Sequence, residues 1–118
     1  MEEQKQQKLR PTRIPVTLEA TYEFRGTKGK CIITDISETG MRLEVKQIFV
    51  PGDVIKVSFP IVYQEKPLMM EAWCIVRNTS GNEVGVEYDE LSNENKRKLM
   101  SYIESLLLRY GKSKYEPY

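Results

Sequence analysis

The stretch IPVTLEATYEFRGTKGKCIITDISETGMRLEV, residues 14–45, decides the fold class because apolar and polar residues alternate along most of it. From residue 14 to residue 24 every even-numbered residue is apolar, and a period of two residues predicts a strand with one buried face. A glycine-containing turn at residues 25–29 leads to a run of β-branched residues, and MRLEV, residues 41–45, alternates again. The stretch therefore predicts three consecutive strands joined by tight turns.

Three more runs with strand character follow along the chain. These runs are VIKVSF (residues 54–59), LMMEAWCIVR (residues 68–77) and VGVEY (residues 84–88). The turn sequences VPGD, YQEKP and TSGNE precede the first, second and third run, respectively. Pro60 has no backbone N–H to donate, so it is expected to limit the fourth strand. Trp73 is read as barrel packing, although it shares a strand face with Arg77.

The period of the sequence changes after residue 91. Ser92 is a favourable N-cap residue, apolar residues then recur at helical spacing, and Gly111 is a favourable residue after the last turn. The sequence thus predicts an all-β fold with one C-terminal helix, a six-stranded antiparallel β-barrel capped by that helix. The domain division is a flexible N-terminal arm at 1–13, the barrel with its helix at 14–111, and a mobile tail at 112–118.

The apolar stripe of the predicted helix is wider than one packing seam requires. It therefore leaves open a second role as a homodimer contact. The stripe consists of Leu99, Met100, Ile103, Leu106, Leu107, Leu108 and Tyr110.

Composition narrows the function classes. The 118 residues suit one domain, and a net charge of +1 argues against a general grip on a nucleic-acid duplex. The chain contains no histidine, which removes Ser-His-Asp catalysis and histidine-based zinc sites, so we expect no enzyme, no metal and no cofactor. Cys31 and Cys74 are expected to be buried, reduced thiols. Without a long apolar run or signal peptide, we expect a cytoplasmic protein that does not insert into membranes.

Two polar clusters carry the candidate chemistry. TDISETG, residues 34–40, contains Asp35, Ser37 and Gly40, and KLRPTR before the first strand contains Lys8, Arg10 and Arg13. Taken alone, the first cluster is explained equally well by turn chemistry. The second, taken alone, is better explained by a solvated segment.

Together the clusters offer complementary groups for a guanine nucleotide. An arginine fork binds a phosphate or the O6/N7 edge of guanine, and a carboxylate accepts from the N1–H and amino group at the opposite edge. A hydroxyl both donates and accepts, and a glycine lets a ring approach the backbone.

These features resemble the PilZ domain family. The resemblance rests on RPTRIPV before the first strand, Asp35-x-Ser37-x-x-Gly40 followed by an alternating strand, a late GVEYDEL and a C-terminal helix. It implies a bacterial six-stranded barrel without enzymatic activity that binds the second messenger cyclic di-GMP and acts in motility or biofilm regulation. It also implies that Asp35, Ser37 and Gly40 face guanine and that Arg13 is the second arginine of the Arg-x-x-x-Arg pattern.

One position departs from that pattern. Leu9 stands where the family has its first arginine, so Arg10 is expected to take that role, with Lys8 as a further candidate. The leading hypothesis is a receptor whose N-terminal arm changes conformation on binding and signals to a separate protein partner. The alternative is a ligand-free adaptor of the same fold that acts only through protein contacts. A third class, a barrel that binds single-stranded nucleic acid, is disfavoured because most aromatics fall in phase with the core, so we expect no DNA or RNA partner.

Overall fold

The computed structural model describes residues 8–118, so the part of the predicted arm at residues 1–7 lies outside the described residues. Strands β2 to β7 form a closed antiparallel barrel in the order β2-β3-β4-β7-β6-β5, which confirms the predicted fold class. The elements are β1 (Leu9–Pro11), β2 (Ile14–Phe24), β3 (Thr27–Ile36), β4 (Gly40–Glu44), β5 (Val54–Tyr63), β6 (Lys66–Ser80), β7 (Glu83–Glu90), α1 (Asn93–Tyr110) and β8 (Tyr115–Pro117).

The barrel interior is filled by the apolar residues whose alternation marks the strands. Ile55, Val57 and Phe59 of β5 are fully buried, and so is Leu43 of β4. A strand that exposes one face to the core and one to solvent needs this period, because successive side chains point to opposite faces. The inward phase predicted for these strands is therefore confirmed.

Strand β5 runs past the position at which the sequence predicts its end. Pro60 pairs with Met69 of β6, and the β5–β6 ladder continues to Tyr63. The neighbour on the other side, β2, pairs only with residues Lys56–Ser58 of β5. Pro60 lies beyond that short ladder, so its missing N–H removes no hydrogen bond to β2.

Helix α1 has the predicted ends. Ser92 Oγ accepts a hydrogen bond from Asn95 N at 3.1 Å, and Gly111 adopts a left-handed conformation with φ 62°. Lys112 N then donates to Leu107 O at 2.9 Å, the hydrogen bond of a Schellman motif. Nowhere in residues 8–118 does a helix combine the length and apolar character needed to cross a membrane.

The helix buries a stripe against the barrel that differs partly from the predicted one. Tyr102 is buried although the sequence does not single it out, whereas Leu108 is 84% exposed and Tyr110 is 53% exposed. The predicted homodimer through this helix stays a prediction. The buried helix residues are Leu99, Tyr102, Ile103, Leu106 and Leu107.

A second, two-stranded sheet joins the two ends of the described chain. Arg10 of β1 is opposite Glu116 of β8 in an antiparallel pair, and Thr12 N donates to Lys114 O at 3.0 Å. The sequence predicts residues 112–118 as a mobile tail because the segment has little to bury. The structure differs, since backbone pairing with β1 gives the segment a partner that composition does not reveal.

Burial lowers the reactivity of the two cysteines. Cys31 and Cys74 are free and buried, and burial raises the pKa of the Cys31 thiol to about 11 and that of Cys74 to about 12. Because the thiolate is the reactive form, we expect neither thiol to react with Ellman's reagent at pH 8 in the folded protein. Both should react in guanidinium chloride. Rapid labelling of either thiol in the native protein would contradict this expectation.

Candidate functional site

A pocket of about 340 Å³ lies where the N-terminal arm, the β3–β4 turn, β6, β7 and the C-terminal segment meet. This volume is at the lower end of the range for small-molecule sites. Lys8 does not line the pocket, and its carbonyl instead accepts a hydrogen bond from Tyr118 N at 3.3 Å. The structure thus brings together the five other residues that the sequence singles out: Arg10, Arg13, Asp35, Ser37 and Gly40.

Asp35 is directed to the pocket by an irregularity in β3. The pairing of β3 with β4 shifts register between Ile33 and Asp35, and both Ile33 and Ile36 are fully buried. In a regular strand, residues on the buried face are two or four positions apart, but Ile33 and Ile36 are three apart. One extra residue is therefore inserted between them, and Asp35 is turned out of the core. Its Oδ2 then lies 3.5 Å from Nε of Arg42 on the neighbouring strand.

Ser37 is engaged in its own turn. Its Oγ accepts hydrogen bonds from Thr39 N and Gly40 N, each at 3.2 Å, and the residue is only 5% exposed. Tyr88 also holds the turn, because its hydroxyl donates a hydrogen bond to Ser37 O at 3.1 Å. Burial raises the pKa of Tyr88 well above its ordinary value, so this donor keeps its proton. The Ser37 hydroxyl thus stabilises the turn that carries the site.

Gly40 is required by the approach of β4 to β7. It lies opposite Glu87, and a Cβ at this position would collide with the carbonyl oxygen of Val86 and lie 3.1 Å from Glu87 Cα. Both obstacles are backbone atoms, which a rotamer change cannot move. The glycine of the predicted motif is therefore accounted for by strand packing.

The arm supplies two arginines that differ in burial and in their contacts. Arg10 Nε lies 3.3 Å from Glu116 Oε1, yet within residues 8–118 this buried nitrogen has no hydrogen-bond partner. Arg13 is exposed, its backbone N donates to Glu116 Oε1 at 3.0 Å, and no carboxylate in the described residues pairs with its guanidinium. Both side chains thus have unused donor capacity at the pocket.

The barrel supplies two further arginines that the predicted site does not include. Arg42 bridges Asp35 and Glu83, and Arg77 Nε donates to Glu87 Oε2 at 2.7 Å. Arg42 could be found from the sequence, because the hairpin turn at Ser37–Gly40 places it opposite Asp35. Four arginines therefore line the pocket together with two carboxylates, those of Asp35 and Glu87. Glu116 and Glu83, which are not part of the lining, contact Arg10 and Arg42.

Trp73 does not take part in the pocket or in the core. The odd-numbered residues of the middle of β6 face outward, and Trp73 is 49% exposed with Lys56 Nζ 5.6 Å above its ring. The predicted packing of Trp73 in the barrel is wrong, because its position in the strand puts it on the same outer face as Glu71 and Arg77. Arg77, four residues further on the same face, does line the pocket.

No group of three or more His, Cys, Asp or Glu side chains within residues 8–118 is arranged to hold a metal ion. The charged groups that line the pocket are four guanidinium groups and the carboxylates of Asp35 and Glu87. Such a set suits an anionic ligand with a hydrogen-bonding ring.

Comparison with known structures finds the same fold in several bacterial proteins. The inhibitor of motility MotI/DgrA from Bacillus subtilis aligns with TM-score 0.71 and 16% identity over 91% of this chain and 54% of its own. The PilZ domain of CeSA from a cellulose-synthesising bacterium aligns with TM-score 0.60 and 11% identity over 80% of this chain and 97% of its own. The PlzA protein of Borreliella burgdorferi, solved in complex with c-di-GMP, aligns with TM-score 0.53 and 19% identity over 77% of this chain and 39% of its own.

These identities are low, so the structural likeness concerns the fold, and the chain spans about half the length of the MotI/DgrA chain. Comparison with curated protein sequences finds no significant match. The family model of the PilZ domain, however, matches residues 4–105, which is most of the chain and includes the arm, the motif turn and the first part of α1. The protein belongs to the PilZ domain family.

Proposed function

We propose that this protein is a bacterial receptor for cyclic di-GMP that carries out no reaction of its own. The observation that carries the proposal is the pocket, which joins Arg10 and Arg13 of the arm to Asp35 of the barrel although 22 or more positions separate them in the sequence. An arginine fork suits the ligand's phosphodiesters and the O6/N7 edge of guanine, and the Asp35 carboxylate suits the donors at the opposite edge.

The charge of the pocket supports an anionic ligand. Arg42 and Arg77 extend the cationic lining from the arm onto the barrel wall, while the chain as a whole has a net charge of only +1. A local cluster of guanidinium groups concentrates an anion at one place without attracting polyanions over the whole surface. Cyclic di-GMP has two phosphodiesters, so it is a compact anion that matches a positive charge limited to one pocket.

Two structural relatives support the ligand class and the process. PlzA was solved with c-di-GMP bound, and MotI/DgrA is described as an inhibitor of motility. We extend the ligand of the first to this chain, together with a role in the control of motility or biofilm formation. A cytoplasmic location and a separate downstream protein belong to the same proposal.

The proposed output is a change in the arm. Arg10 and Arg13 belong to or adjoin the short strand β1, which pairs with β8 and not with the barrel. Ligand contact with both arginines would fix the arm against the β3–β4 turn. The surface at this corner would then differ between the free and bound protein, which is what a partner can read.

Titration calorimetry with cyclic di-GMP tests the proposal directly. We expect saturable binding with a Kd in the micromolar range or below, since several charge-assisted hydrogen bonds form in one pocket. GTP, titrated in parallel, should bind at least tenfold more weakly because it offers only one guanine and one flexible phosphate chain. Absence of heat with cyclic di-GMP at high micromolar concentration would reject the proposed function.

A ligand-free adaptor is the second candidate, and two observations favour it. The Ser37 hydroxyl is used within its turn, and Gly40 is needed for strand packing, so two of the three motif residues have structural reasons to be present. Leu9 also occupies the place of the first family arginine. In that case the outward-facing Trp73 and the exposed residues of α1 would serve as protein contacts.

A further inference from the structure

The C-terminal strand β8 brings an anion and an aromatic ring to the same arginine. Glu116 Oε1 lies 3.3 Å from Nε of Arg10, and the guanidinium carbon of Arg10 lies 5.8 Å from the ring centroid of Tyr118. A carboxylate therefore lies beside Nε of the guanidinium, and the guanidinium lies over an aromatic ring. These are the two kinds of contact that a guanine nucleotide makes with an arginine, through its phosphate and its base.

Glu116 also reaches the second arginine of the arm. The same Oε1 atom accepts a hydrogen bond from Arg13 N at 3.0 Å, so the carboxylate lies between the two residues that the proposed function assigns to a ligand phosphate. A phosphate placed there would be within a few ångströms of the carboxylate, and two anions that close repel each other. Ligand and Glu116 thus compete for one position.

The internal contact is a weak one. Arg10 Nε forms no hydrogen bond with any group in residues 8–118, despite its proximity to Glu116, and the side chains of both residues are about 30% exposed. Strand β8 is only three residues long and pairs with β1 alone. A better-placed phosphate oxygen could satisfy the unused donor and take the place of the Glu116 carboxylate at Arg10. Displacement of β8 also breaks its backbone pairing with β1 and the hydrogen bond from Tyr118 N to Lys8 O, so the ligand's contacts must outweigh these.

We propose that β8 is an internal mimic of the ligand, in which Glu116 and Tyr118 occupy the phosphate and base positions at Arg10 until cyclic di-GMP displaces them. The inference rests on the proposed function for the identity of the ligand. It adds that Glu116 sets the affinity of the site and that release of residues 113–118 accompanies binding. The surface that a partner reads then includes the freed C-terminal segment as well as the arm.

The substitution Glu116→Gln tests the competition. Glutamine keeps a carbonyl oxygen that can accept from Arg13 N, so the β1–β8 pairing is retained while the negative charge is removed. Calorimetry should give a Kd for cyclic di-GMP about fivefold lower than that of the wild-type protein, the effect of removing one partly exposed competing charge. Glu65→Gln, an equal charge change in the exposed β5–β6 turn, should leave the Kd unchanged. An equal or higher Kd for Glu116→Gln would overturn the mimicry.

A second probe separates this inference from the proposed function. Inorganic pyrophosphate, added to ¹⁵N-labelled protein, should perturb the Arg13 amide resonance at about fivefold lower concentration in Glu116→Gln than in the wild type. That comparison does not involve cyclic di-GMP, so it decides the role of Glu116 even if the wild-type protein gives no heat with the dinucleotide. Equal perturbation in the two proteins would overturn the inference and leave the proposed function to its own titration.

A substitution at Tyr118 shows whether its ring is displaced by the ligand or stacks on a bound base. If its ring occupies the base position, Tyr118→Leu should bind cyclic di-GMP at least as tightly as the wild type, and hydrogen exchange in residues 113–118 should accelerate when ligand is added. Weaker binding by Tyr118→Leu, or slower exchange in this segment, would mean that the ring stacks on the bound base, and the mimicry would be wrong.

Discussion

Gly40→Ala is expected to lower the free energy of unfolding by about 3 kcal/mol, the upper end of the usual effect of overpacking. The new Cβ would collide with the carbonyl oxygen of Val86 on β7, and β4 and β7 could separate only by breaking their ladder. For a domain of this size the change corresponds to a fall in the melting temperature of roughly 10 °C. Urea unfolding followed by circular dichroism measures it.

Gly85→Ala is the matched control. Gly85 lies on β7, the strand that pairs with the β4 strand of Gly40, and it also lines the pocket. The atoms nearest to a Cβ at Gly85 would belong to the side-chain amide of Asn78, with Oδ1 at 2.5 Å. That amide can rotate away, so we expect a loss of about 1 kcal/mol or less. Equal stability of Gly40→Ala and the wild type would contradict the packing role of Gly40. A stable Gly40→Ala protein with lost binding would show instead that the position acts on the ligand.

The difference between Gly40 and Gly85 shows how much of the motif turn the sequence alone can predict. Alternation in residues 14–45 predicts the strands and their inward faces because one buried face imposes a period of two. It does not reveal whether Gly40 serves a ligand or a strand, since the decisive contact is with Val86, 46 positions away. A sequence pattern shows the local periodicity of strands and helices. The contact that requires a glycine can instead be made with a backbone atom far away in the sequence.

Arg13→Ala is expected to weaken cyclic di-GMP binding by roughly ten- to a hundredfold, because one charge-assisted contact contributes about 1.5–3 kcal/mol. The guanidinium of Arg13 has no carboxylate partner in residues 8–118, so its removal leaves no unpaired carboxylate and should not alter stability. Arg97→Ala, which removes an exposed arginine from α1, is the control for net charge and should keep the wild-type Kd. Calorimetry gives the three values. If Arg13→Ala bound as tightly as Arg97→Ala, the arm would have no part in binding.

Asp35→Ala should weaken binding by more than tenfold for a different reason. Loss of the carboxylate removes the acceptors for the guanine N1–H and amino donors, and it also frees Arg42 from its contact at 3.5 Å. Selectivity should fall together with affinity, so the ratio of the Kd values for cyclic di-AMP and cyclic di-GMP should approach one. A retained preference for guanine would place base recognition at another residue.

The arm and the C-terminal segment mark the limit of prediction for this site. Arg10 and Arg13 are conspicuous as a basic cluster before the first strand, and the structure places both at the pocket. Glu116 and Tyr118 give no such signal, because a short polar segment after a helix has no period to interpret. Only the pairing of β1 with β8 brings them to Arg10, and backbone pairing between chain ends leaves no trace in local composition.

The backbone hydrogen bond from Tyr118 N to Lys8 O has a consequence for the architecture of larger polypeptides. Residues 8 and 118 lie at one corner of the domain, which is the arrangement that permits circular permutation and insertion into a host protein. A polypeptide joined before residue 8 and another joined after residue 118 would leave side by side, next to the pocket. The domain would then act as a junction, with its pocket beside the two points of attachment.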